Sequence, residues 1–390
     1  MNHGKYVFAQ LFDWINRYEF DLYVKRYGGN YRVKHFRCWE QFLVMSFAQL
    51  SFRESLRDIE CCLRSVQSKL YHCGIKSEVA RNTLAKTNEK RDWQIYRDLA
   101  KALMKIAVPL YKGENKLCRE LQSSIYAFDS TTINLCLKLF PWATYSSRRK
   151  AIKVHVLMNT DGYIPEFVHV TTGNRQDMII LDELSYKAGC FYVLDKAYVD
   201  YERLYRVEQS KAFFVTRAKE NMSYVVKQNK SVDMGTGVIK DQLVRMKRWH
   251  TRRWYPIQIR RIEYRDINTG KAFTFLTNNF LLDALIIARL YKERWKVELF
   301  FKWIKQNLRI KKFYGNSENA VKTQIWVAVC NYLQIAIIKK QLNITASLSQ
   351  IMQVLSVSLF DKCSLEDLFH EPQTKNVSSQ SSLFENLTGH

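Results

Sequence analysis

Two aspartates each follow a short apolar run that is typical of a buried β-strand. Asp129 follows IYAF and Asp195 follows FYVL. Two such strands lying side by side bring their carboxylates together, and hard cations such as Mg²⁺ prefer oxygen ligands of this kind. Two metal ions about 3.5–4 Å apart activate the attacking oxygen and stabilise the leaving oxygen in phosphoryl transfer. An aspartate after a strand also begins ordinary turns, so these two residues alone leave both interpretations open.

A third acidic residue lies in a segment, 291–306, that is predicted to be helical. At 100° per residue, one face of this helix carries a polar stripe about 80° wide. The stripe contains Tyr291, Arg294, Glu298, Lys302 and Lys305. It is either a solvated face with an Arg294–Glu298 pair, or a site where Glu298 binds metal while Arg294 and Lys305 hold DNA phosphates.

The net charge favours a polyanionic partner. Lys and Arg total 61 against 37 acidic residues, which gives a formal net charge of +24. Cations of this kind neutralise phosphates and release condensed counterions. Aromatic residues are interleaved with the basic residues at 145–153 and 245–261, which favours nucleic acid over a membrane surface. No apolar run reaches the roughly 18–20 residues of a membrane helix, and the nine scattered cysteines indicate reduced thiols in the cytoplasm.

The elements that must position these residues change character along the chain. Residues 1 to about 110 carry apolar residues at helical intervals, with helices predicted at 39–52, 55–66 and 92–111. A polar helix at 77–91, capped by Ser77, is either a helix-turn-helix DNA reader or the solvated face of a helical bundle. This part of the chain therefore predicts a helical domain.

From about residue 121 the pattern predicts strands, with one helix near 178–188. The strand-like runs are 123–137, 153–160, 165–173, 190–198 and 212–218. That order predicts an α/β fold with a mixed sheet flanked by helices. Residues 220–278 predict a β-rich insertion, a long helix follows from about Leu281 to Leu308, and the polar tail at 373–390 predicts disorder.

The polar stripe resembles a known motif. Its four residues at this spacing resemble the YREK signature of the insertion-sequence-four family of DDE transposases: Tyr291, Arg294, Glu298 and Lys305. FDST (128–131) and LDKAY (194–198) resemble the two catalytic-aspartate motifs of the family, and LTNN (276–279) matches the segment before its last helix. In the second motif, Lys196 and Ala197 replace the usual Arg-Gly pair.

The resemblance covers about residues 120–345 and implies a ribonuclease-H-like core interrupted by the β-rich insertion. It implies domains at 1–115 (helical, DNA-binding), 120–220 with 279–345 (catalytic), 221–278 (insertion) and 346–390 (helical segment and tail). The all-helical part at the N-terminus also resembles the domain that precedes the core in related transposases.

The implied activity is cut-and-paste transposition of an insertion sequence by two Mg²⁺ ions, or Mn²⁺, with hairpin formation and strand transfer. The implied catalytic and metal-binding residues are Asp129, Asp195 and Glu298. The implied DNA partners are the terminal inverted repeats and the target, bound by a homodimer at the bacterial nucleoid. A metal-dependent nuclease or resolvase, and a silent DNA-binding protein, are the competing interpretations.

Several other residues are candidates for DNA contacts or for structural roles. Tyr291, Arg294, Lys305 and Lys302 are candidates for phosphate contacts. Trp249 and Trp254 are candidates for stacking on a flipped base, or else form the core of the insertion. Structural roles are favoured for Lys153, His155, Asn174 and Asp177, whereas Asp200 is noted because it lies near Asp195 in the sequence. We place Glu293 outside the site because it falls on a different helical face.

Overall fold

The computed structural model describes residues 4–308, 310 and 312–369; the predicted disordered tail at 373–390 lies outside them. The helices are α1 (Val7–Gln10), α2 (Arg17–Arg26), α3 (Cys38–Leu50), α4 (Leu56–Ser65), α5 (Gln67–Leu70), α6 (Arg81–Lys90), α7 (Gln94–Leu110), α8 (Lys116–Leu121), α9 (Tyr201–Gln209), α10 (Trp249–Trp254), α11 (Ala284–Lys292), α12 (Trp295–Asn307), α13 (Glu318–Gln341), α14 (Leu348–Ser358) and α15 (Leu365–Phe369). The strands are β1 (Ile125–Leu135), β2 (Thr144–Ser146), β3 (Arg149–Asn159), β4 (Ile164–Thr172), β5 (Phe191–Leu194), β6 (Phe213–Arg217), β7 (Tyr224–Lys230), β8 (Val238–Met246), β9 (Ile259–Arg265) and β10 (Ala272–Thr277).

The N-terminal part is helical, as the apolar spacing predicts. The predicted helices at 39–52, 55–66 and 92–111 correspond to α3, α4 and α7. Every residue of α3 except Trp39 and Glu40 is buried, because this helix packs against α13. The polar helix predicted at 77–91 is shorter: α6 begins at Arg81 after Ala80, without a side-chain cap. The prediction that Ser77 caps it is wrong.

A mixed sheet forms the centre of the molecule. Strand β1 pairs antiparallel with β3, and β3 pairs antiparallel with β4. On its other edge β1 pairs parallel with β5, which in turn pairs parallel with β6. The spatial order β4-β3-β1-β5-β6, with three antiparallel strands followed by two parallel ones, is the ribonuclease-H-like arrangement. The predicted α/β fold with helices flanking a mixed sheet is therefore confirmed.

The strands of the β-rich segment extend this same sheet. Strand β10 pairs antiparallel with β6, and the order continues through β9 and β8 to β7. A buried ion pair lies in this extension: the Arg260 guanidinium donates to both Asp241 carboxylate oxygens at 2.9 and 2.7 Å. Arg260 also donates to the carbonyl of Leu282 at 2.5 Å, which links the extension to the chain before α11. The division into domains stays a prediction.

The single long helix predicted over 281–308 is wrong, because the chain is interrupted between α11 and α12. At the interruption the hydrogen bonds tighten to three-residue spacing: Arg294 N–H donates to the Tyr291 carbonyl at 3.2 Å, and Val297 N–H donates to the Arg294 carbonyl at 3.1 Å. Such short 3₁₀ turns are frequent at the ends of α-helices and as connectors between them. The helix predicted at 178–188 is likewise a 3₁₀ helix, at Asp177–Glu183.

Helix α13 runs through the middle of the protein. Within the described residues it is one helix that is long and apolar enough to cross a membrane, but 94% of its apolar window is buried inside the protein. It packs against α7 and α3, so its composition reflects burial on all sides. The expectation from sequence that no apolar run has this length is corrected by α13.

Candidate active site

The two aspartates lie next to each other because of the register between β1 and β5. The parallel pairing ends at Phe128 and Leu194, and each aspartate is the following residue of its strand. The buried run ends before Asp129, but β1 itself continues to Leu135, paired with β3, within the strand predicted at 123–137. Asp129 therefore lies where β1 loses its β5 neighbour and the strand passes from buried to half-buried positions.

Asp195 is held by the turn that follows β5. Its Oδ2 accepts a hydrogen bond from the Ala197 backbone N–H at 3.2 Å, which caps a 3₁₀ helix at Lys196–Tyr198. Ala197 is not among the residues with positive φ, so the position where the family has glycine adopts a backbone open to any residue. The Lys-Ala pair is therefore compatible with the turn.

All three predicted catalytic carboxylates contact one guanidinium, that of Arg294. Its Nη1 lies 2.6 Å from Asp129 Oδ2, its Nη2 lies 2.7 Å from Glu298 Oε1, and its Nε lies 3.9 Å from Asp195 Oδ1. Arg294 reaches all three from the interruption between α11 and α12. The structure thus brings together residues that are separated by as many as 169 positions in the sequence.

The electrostatics of this cluster reflect three acids in a confined space. The pKa of Asp129 is raised to about 6, mainly by burial and to a smaller extent by the Asp195 and Glu298 charges, against the opposing effects of the Ser130 N–H and Arg294. For Arg294, burial lowers the pKa, but Tyr291 and the three carboxylates outweigh it and raise the pKa overall. The carboxylates therefore require a cation between them, and Arg294 supplies one.

The three carboxylates are suitable ligands for divalent cations, but in this structure they are arranged around the Arg294 guanidinium. Three carboxylates offer the oxygen ligands that Mg²⁺ and Mn²⁺ prefer. Across the described residues, no group of three Asp, Glu, His or Cys side chains is spaced to hold a metal ion directly. Arg294 stands between the acids, and its Nε is buried without a hydrogen-bond partner. Metal binding therefore requires the guanidinium to move aside.

The remaining members of the polar stripe lie around this cluster. The Tyr291 hydroxyl donates to Asp195 Oδ1 at 3.5 Å. The Lys305 ammonium donates to the Thr131 hydroxyl, and its Nζ lies 3.5 Å from the Thr132 carbonyl. Lys305 thus reaches the strand that carries Asp129, while Lys302 points to solvent.

Arg217 is a site residue that the sequence interpretation missed. It ends β6, next to β5, and its Nη2 lies 3.8 Å from Asp195 Oδ1. Its guanidinium also lies 5.8 Å from the centroid of the Tyr291 ring. The signal in the sequence is a basic residue directly after the apolar run FFVT, just as each aspartate directly follows an apolar run.

Trp249 and Trp254 mark the two ends of α10, which connects β8 to β9. Their exposed fractions are 65% and 48%, so the alternative that they form the core of the insertion is wrong. A cavity of about 270 Å³ beside Trp254 is also lined by Lys219. Lys219 lines a neighbouring cavity of about 380 Å³ together with Arg217. The two cavities share Lys219 as a lining residue, and Arg217 of the second cavity contacts Asp195.

The lesser candidates Lys153, His155 and Asp200 have structural roles. Lys153 donates to Asp177 at 2.9 Å, and Asp200 caps α9 by accepting from the Arg203 N–H at 3.1 Å. His155 is fully buried, and burial together with nearby cations lowers its pKa to about 3. It is therefore a neutral core residue.

Asn174 and Glu293 also bind neighbouring protein groups. Asn174 accepts from the Thr172 hydroxyl at 2.8 Å. Glu293 accepts from the Asn115 side chain at 2.5 Å and pairs with Lys296. Its predicted exclusion from the site agrees with these contacts.

Comparison with known proteins places this site in a family. Residues 120–334 match the model of the transposase DDE domain, and residues 3–76 match a domain of unknown function. The chain is 34% identical over 248 residues to "Putative transposase y4zB" of Sinorhizobium fredii, covering 63% of this chain and 69% of that protein. It is 30% identical over 269 residues to "Probable transposase for insertion sequence element IS5377" of Geobacillus stearothermophilus, covering 67% and 70%.

A solved structure, the piggyBac transposase synaptic complex with hairpin DNA, aligns with a TM-score of 0.46 and 11% identity, covering 92% of this chain and 77% of that one. The family matches place the chain among the enzymes that cleave and transfer DNA strands. The chain belongs to the DDE transposase family. The narrower assignment to the insertion-sequence-four family stays a prediction.

Proposed function

We propose that this transposase moves an insertion sequence by cut-and-paste transposition through a hairpin intermediate, with Asp129, Asp195 and Glu298 as its catalytic residues. The observation that carries the proposal is the convergence of these three carboxylates on Arg294 from β1, β5 and α12. Acids gathered against their mutual repulsion mark a functional site. The proposed place of action is the bacterial nucleoid in the cytoplasm.

The three carboxylates would hold two divalent ions, Mg²⁺ or Mn²⁺, which supply activation of the attacking oxygen and stabilisation of the leaving oxygen. Water first attacks the phosphorus at the end of the element, and the bond to the 3′ oxygen breaks to leave a free 3′ hydroxyl. That hydroxyl then attacks the opposite strand, forms a hairpin and releases the flanking DNA. Water then hydrolyses the hairpin phosphodiester and regenerates the 3′ hydroxyl. This hydroxyl attacks a phosphodiester of the target DNA, forms a bond to its phosphorus and displaces the 3′ oxygen of the target strand.

The basic residues around the acids have separate roles in this scheme. Arg294, once released from the carboxylates, binds a phosphate of the element's end, since a guanidinium matches phosphate oxygens in a fork. Tyr291 lies on α11, and Lys305 and the exposed Lys302 lie on α12. These three residues contact neighbouring phosphates. A homodimer holds the two terminal inverted repeats and the target, because two ends must be joined together.

The reaction products test the proposal. Purified protein is mixed with linear DNA carrying the ends that flank its gene, with Mg²⁺ or with EDTA. We expect hairpin ends and joined products with Mg²⁺ and none with EDTA. Nicks without hairpins or joining would contradict cut-and-paste transposition and identify a nuclease. Tight binding without strand breaks would contradict the catalytic assignment as well.

Trp249 and Trp254 are proposed to stack on a base that leaves the duplex during hairpin formation. Stacking of a base on an aromatic side chain contributes about 1–3 kcal/mol. We therefore expect Trp249→Ala/Trp254→Ala to slow hairpin formation about tenfold or more while first-strand nicking persists. The measurement is hairpin yield, together with the fluorescence rise of 2-aminopurine placed at the end of the element.

The matched control is Trp14→Ala, which removes a partly exposed tryptophan from the N-terminal helical part. Its hairpin yield and fluorescence should equal those of the unmodified protein. If the double variant keeps the full fluorescence rise and hairpin rate, the stacking role of α10 is wrong.

A further inference from the structure

A cationic cleft lies in the N-terminal helical part, outside the catalytic site. It has a volume of about 390 Å³ and is formed by the chain before α3 and the chain that follows α5. The side chains that matter here are Arg17, Lys34, Arg37, Trp39, Glu40 and Lys76. The cleft falls in the stretch that matches a domain of unknown function, apart from its last lining residue, Ser77.

The cations of this cleft are largely unneutralised. Arg17 has one carboxylate partner, Asp21, at 3.7 Å. Within the described part of the chain, no carboxylate lies within 4.0 Å of the Lys34, Arg37 or Lys76 side chains. Arg260 and Arg294, by contrast, each lie within 3 Å of a carboxylate oxygen. Unpaired cations gathered in a concave surface attract anions by focusing the positive potential.

Glu40, the acidic residue that lines this cleft, binds the backbone of two of the basic residues and forms no ion pair with their charged groups. Its Oε2 accepts the backbone N–H of Arg37 at 2.8 Å, and its Oε1 accepts the backbone N–H of Lys76 at 3.1 Å. These two bonds tie the chain after α5 to the beginning of α3. They bring Arg37 and Lys76 to the same cleft although 39 positions separate them.

The loop that carries Lys34 and Arg37 is fixed by a strained residue between them. Phe36 has a φ of 51°, a left-handed conformation that costs a non-glycine residue free energy and persists only where surrounding contacts enforce it. Here the Phe36 side chain is buried, and the Arg91 guanidinium donates to its carbonyl. The buried Phe36 side chain and the hydrogen bond from Arg91 therefore hold this loop in one conformation.

The opposite wall is rigid as well. The Arg17 guanidinium lies 3.9 Å from the centroid of the Trp39 ring, and Trp39 packs against Phe20 and Phe42 at centroid distances of 5.3 and 5.5 Å. A cation stacked on an anchored aromatic ring loses little conformational entropy when it binds a ligand. The arrangement is thus prepared for a ligand with several negative charges.

We propose that this cleft binds the phosphate backbone of duplex DNA, independently of base sequence. The choice of DNA as the polyanion rests on the proposed function and on the net charge of +24. Phosphate contacts fix the position of a protein on a duplex, and base contacts made elsewhere supply sequence recognition. The polar helix α6 begins five residues after Lys76. The exposed residues of α6 therefore follow closely, along the chain, a residue that holds the duplex at the cleft.

The test compares two triple variants that change the charge equally. Lys34→Gln/Arg37→Gln/Lys76→Gln neutralises the cleft, whereas Lys101→Gln/Lys105→Gln/Lys112→Gln neutralises exposed lysines of α7 and the turn after it. Full-length protein is titrated against a fluorescent duplex with the element's end and against an unrelated duplex, at several salt concentrations. Thermal unfolding of each variant shows that it is folded.

We expect the cleft variant to bind both duplexes at least about tenfold more weakly, with a salt slope smaller by about 2–3, since each phosphate contact contributes about 0.9. Lys76→Gln alone should lower the slope by about 1, and the α7 variant should change affinity less than about twofold. Equal losses in both triple variants, or no loss in the cleft variant, would overturn the proposal. So would a cleft variant that loses binding to polyglutamate or duplex RNA but keeps its binding to duplex DNA.

The outcome is separable from that of the proposed function. Cleft-dependent binding by a protein that forms no hairpins or joined products would support the cleft and contradict the transposition scheme. If the protein forms hairpins and joined products but the cleft variant binds DNA as tightly as the wild type, the transposition scheme is supported and the cleft proposal is contradicted.

Discussion

Replacing Asp195 by asparagine should reduce strand cleavage by about a thousandfold or more, because loss of metal-assisted charge stabilisation costs several kcal/mol in the transition state. Asp129→Asn and Glu298→Gln should have the same effect, since all three carboxylates meet at Arg294. The measurement is the single-turnover nicking rate on a DNA end with Mg²⁺. DNA binding should persist, because each substitution removes a negative charge.

The control is Asp200→Asn, five residues beyond Asp195. Asp200 caps α9, and asparagine is an equally good capping residue, so this variant should cleave DNA at the normal rate. If Asp195→Asn retains more than about a tenth of the activity, a difference of about 1.4 kcal/mol or less, Asp195 is not a metal ligand of the reaction. The same criterion applies separately to Asp129 and Glu298.

The second large effect is expected at Arg294, measured as the free energy of unfolding. Without metal, Arg294→Gln leaves three carboxylates facing one another, and removing one partner from a largely buried charge cluster costs about 3–5 kcal/mol. The Arg294 and Asp129 side chains are each 17% exposed, so we expect the loss in free energy of unfolding to lie near the lower end of this range. Millimolar Mg²⁺ should restore part of the lost stability in the variant, because the ion replaces the missing positive charge.

Arg289→Gln is the matched control for Arg294→Gln. Arg289 lies in α11 and pairs with Glu120 at 2.7 Å, with side-chain exposures of 48% and 36%. Exposed pairs of this kind contribute at most about 1 kcal/mol, and Mg²⁺ should make no difference to this variant. Equal losses in the two variants, or a loss in Arg294→Gln that Mg²⁺ leaves unchanged, would contradict a shared site for metal and guanidinium.

The sequence predicts the central part of the fold because its strands are locally recognisable. The apolar runs before Asp129 and Asp195 belong to neighbouring parallel strands, where both faces are covered and continuous apolar residues are typical. The YREK-like spacing identifies Arg294 and Glu298 together, since residues four apart lie on one side of a helix. These local patterns left a turn or a solvated helical face open as alternatives, and the resemblance to the transposase family joined the three acids into one prediction.

Features that depend on distant contacts could not be predicted in this way. The sequence of 221–278 shows strands but not that β10 pairs with β6, because register across the sheet depends on residues about 60 positions away. The interruption at Arg294 contains neither proline nor glycine, which are the usual breakers. It accompanies long-range contacts: Glu293 with Asn115, and Arg294 with Asp129.

Arg217 was missed for the same kind of reason. As a single basic residue after an apolar run, it has no motif around it, and only the β5–β6 pairing brings it to Asp195. Likewise Lys34, Arg37 and Lys76 lie in separate segments, and the two hydrogen bonds to Glu40 are not visible in the spacing. Charged residues that act in groups are thus recognised only when the tertiary contacts are known.

The most direct test of the catalytic assignment is the number of Mn²⁺ ions bound, measured by electron paramagnetic resonance on the complex with a DNA end. Wild-type protein should bind two ions per active site, and Asp200→Asn should match it. Asp195→Asn should bind fewer Mn²⁺ ions and lose the spectral signal of two closely coupled ions. Substitution of an aspartate with only a structural role would leave that signal unchanged. Equal Mn²⁺ binding by Asp195→Asn and wild-type protein would contradict the account that these carboxylates form the metal site.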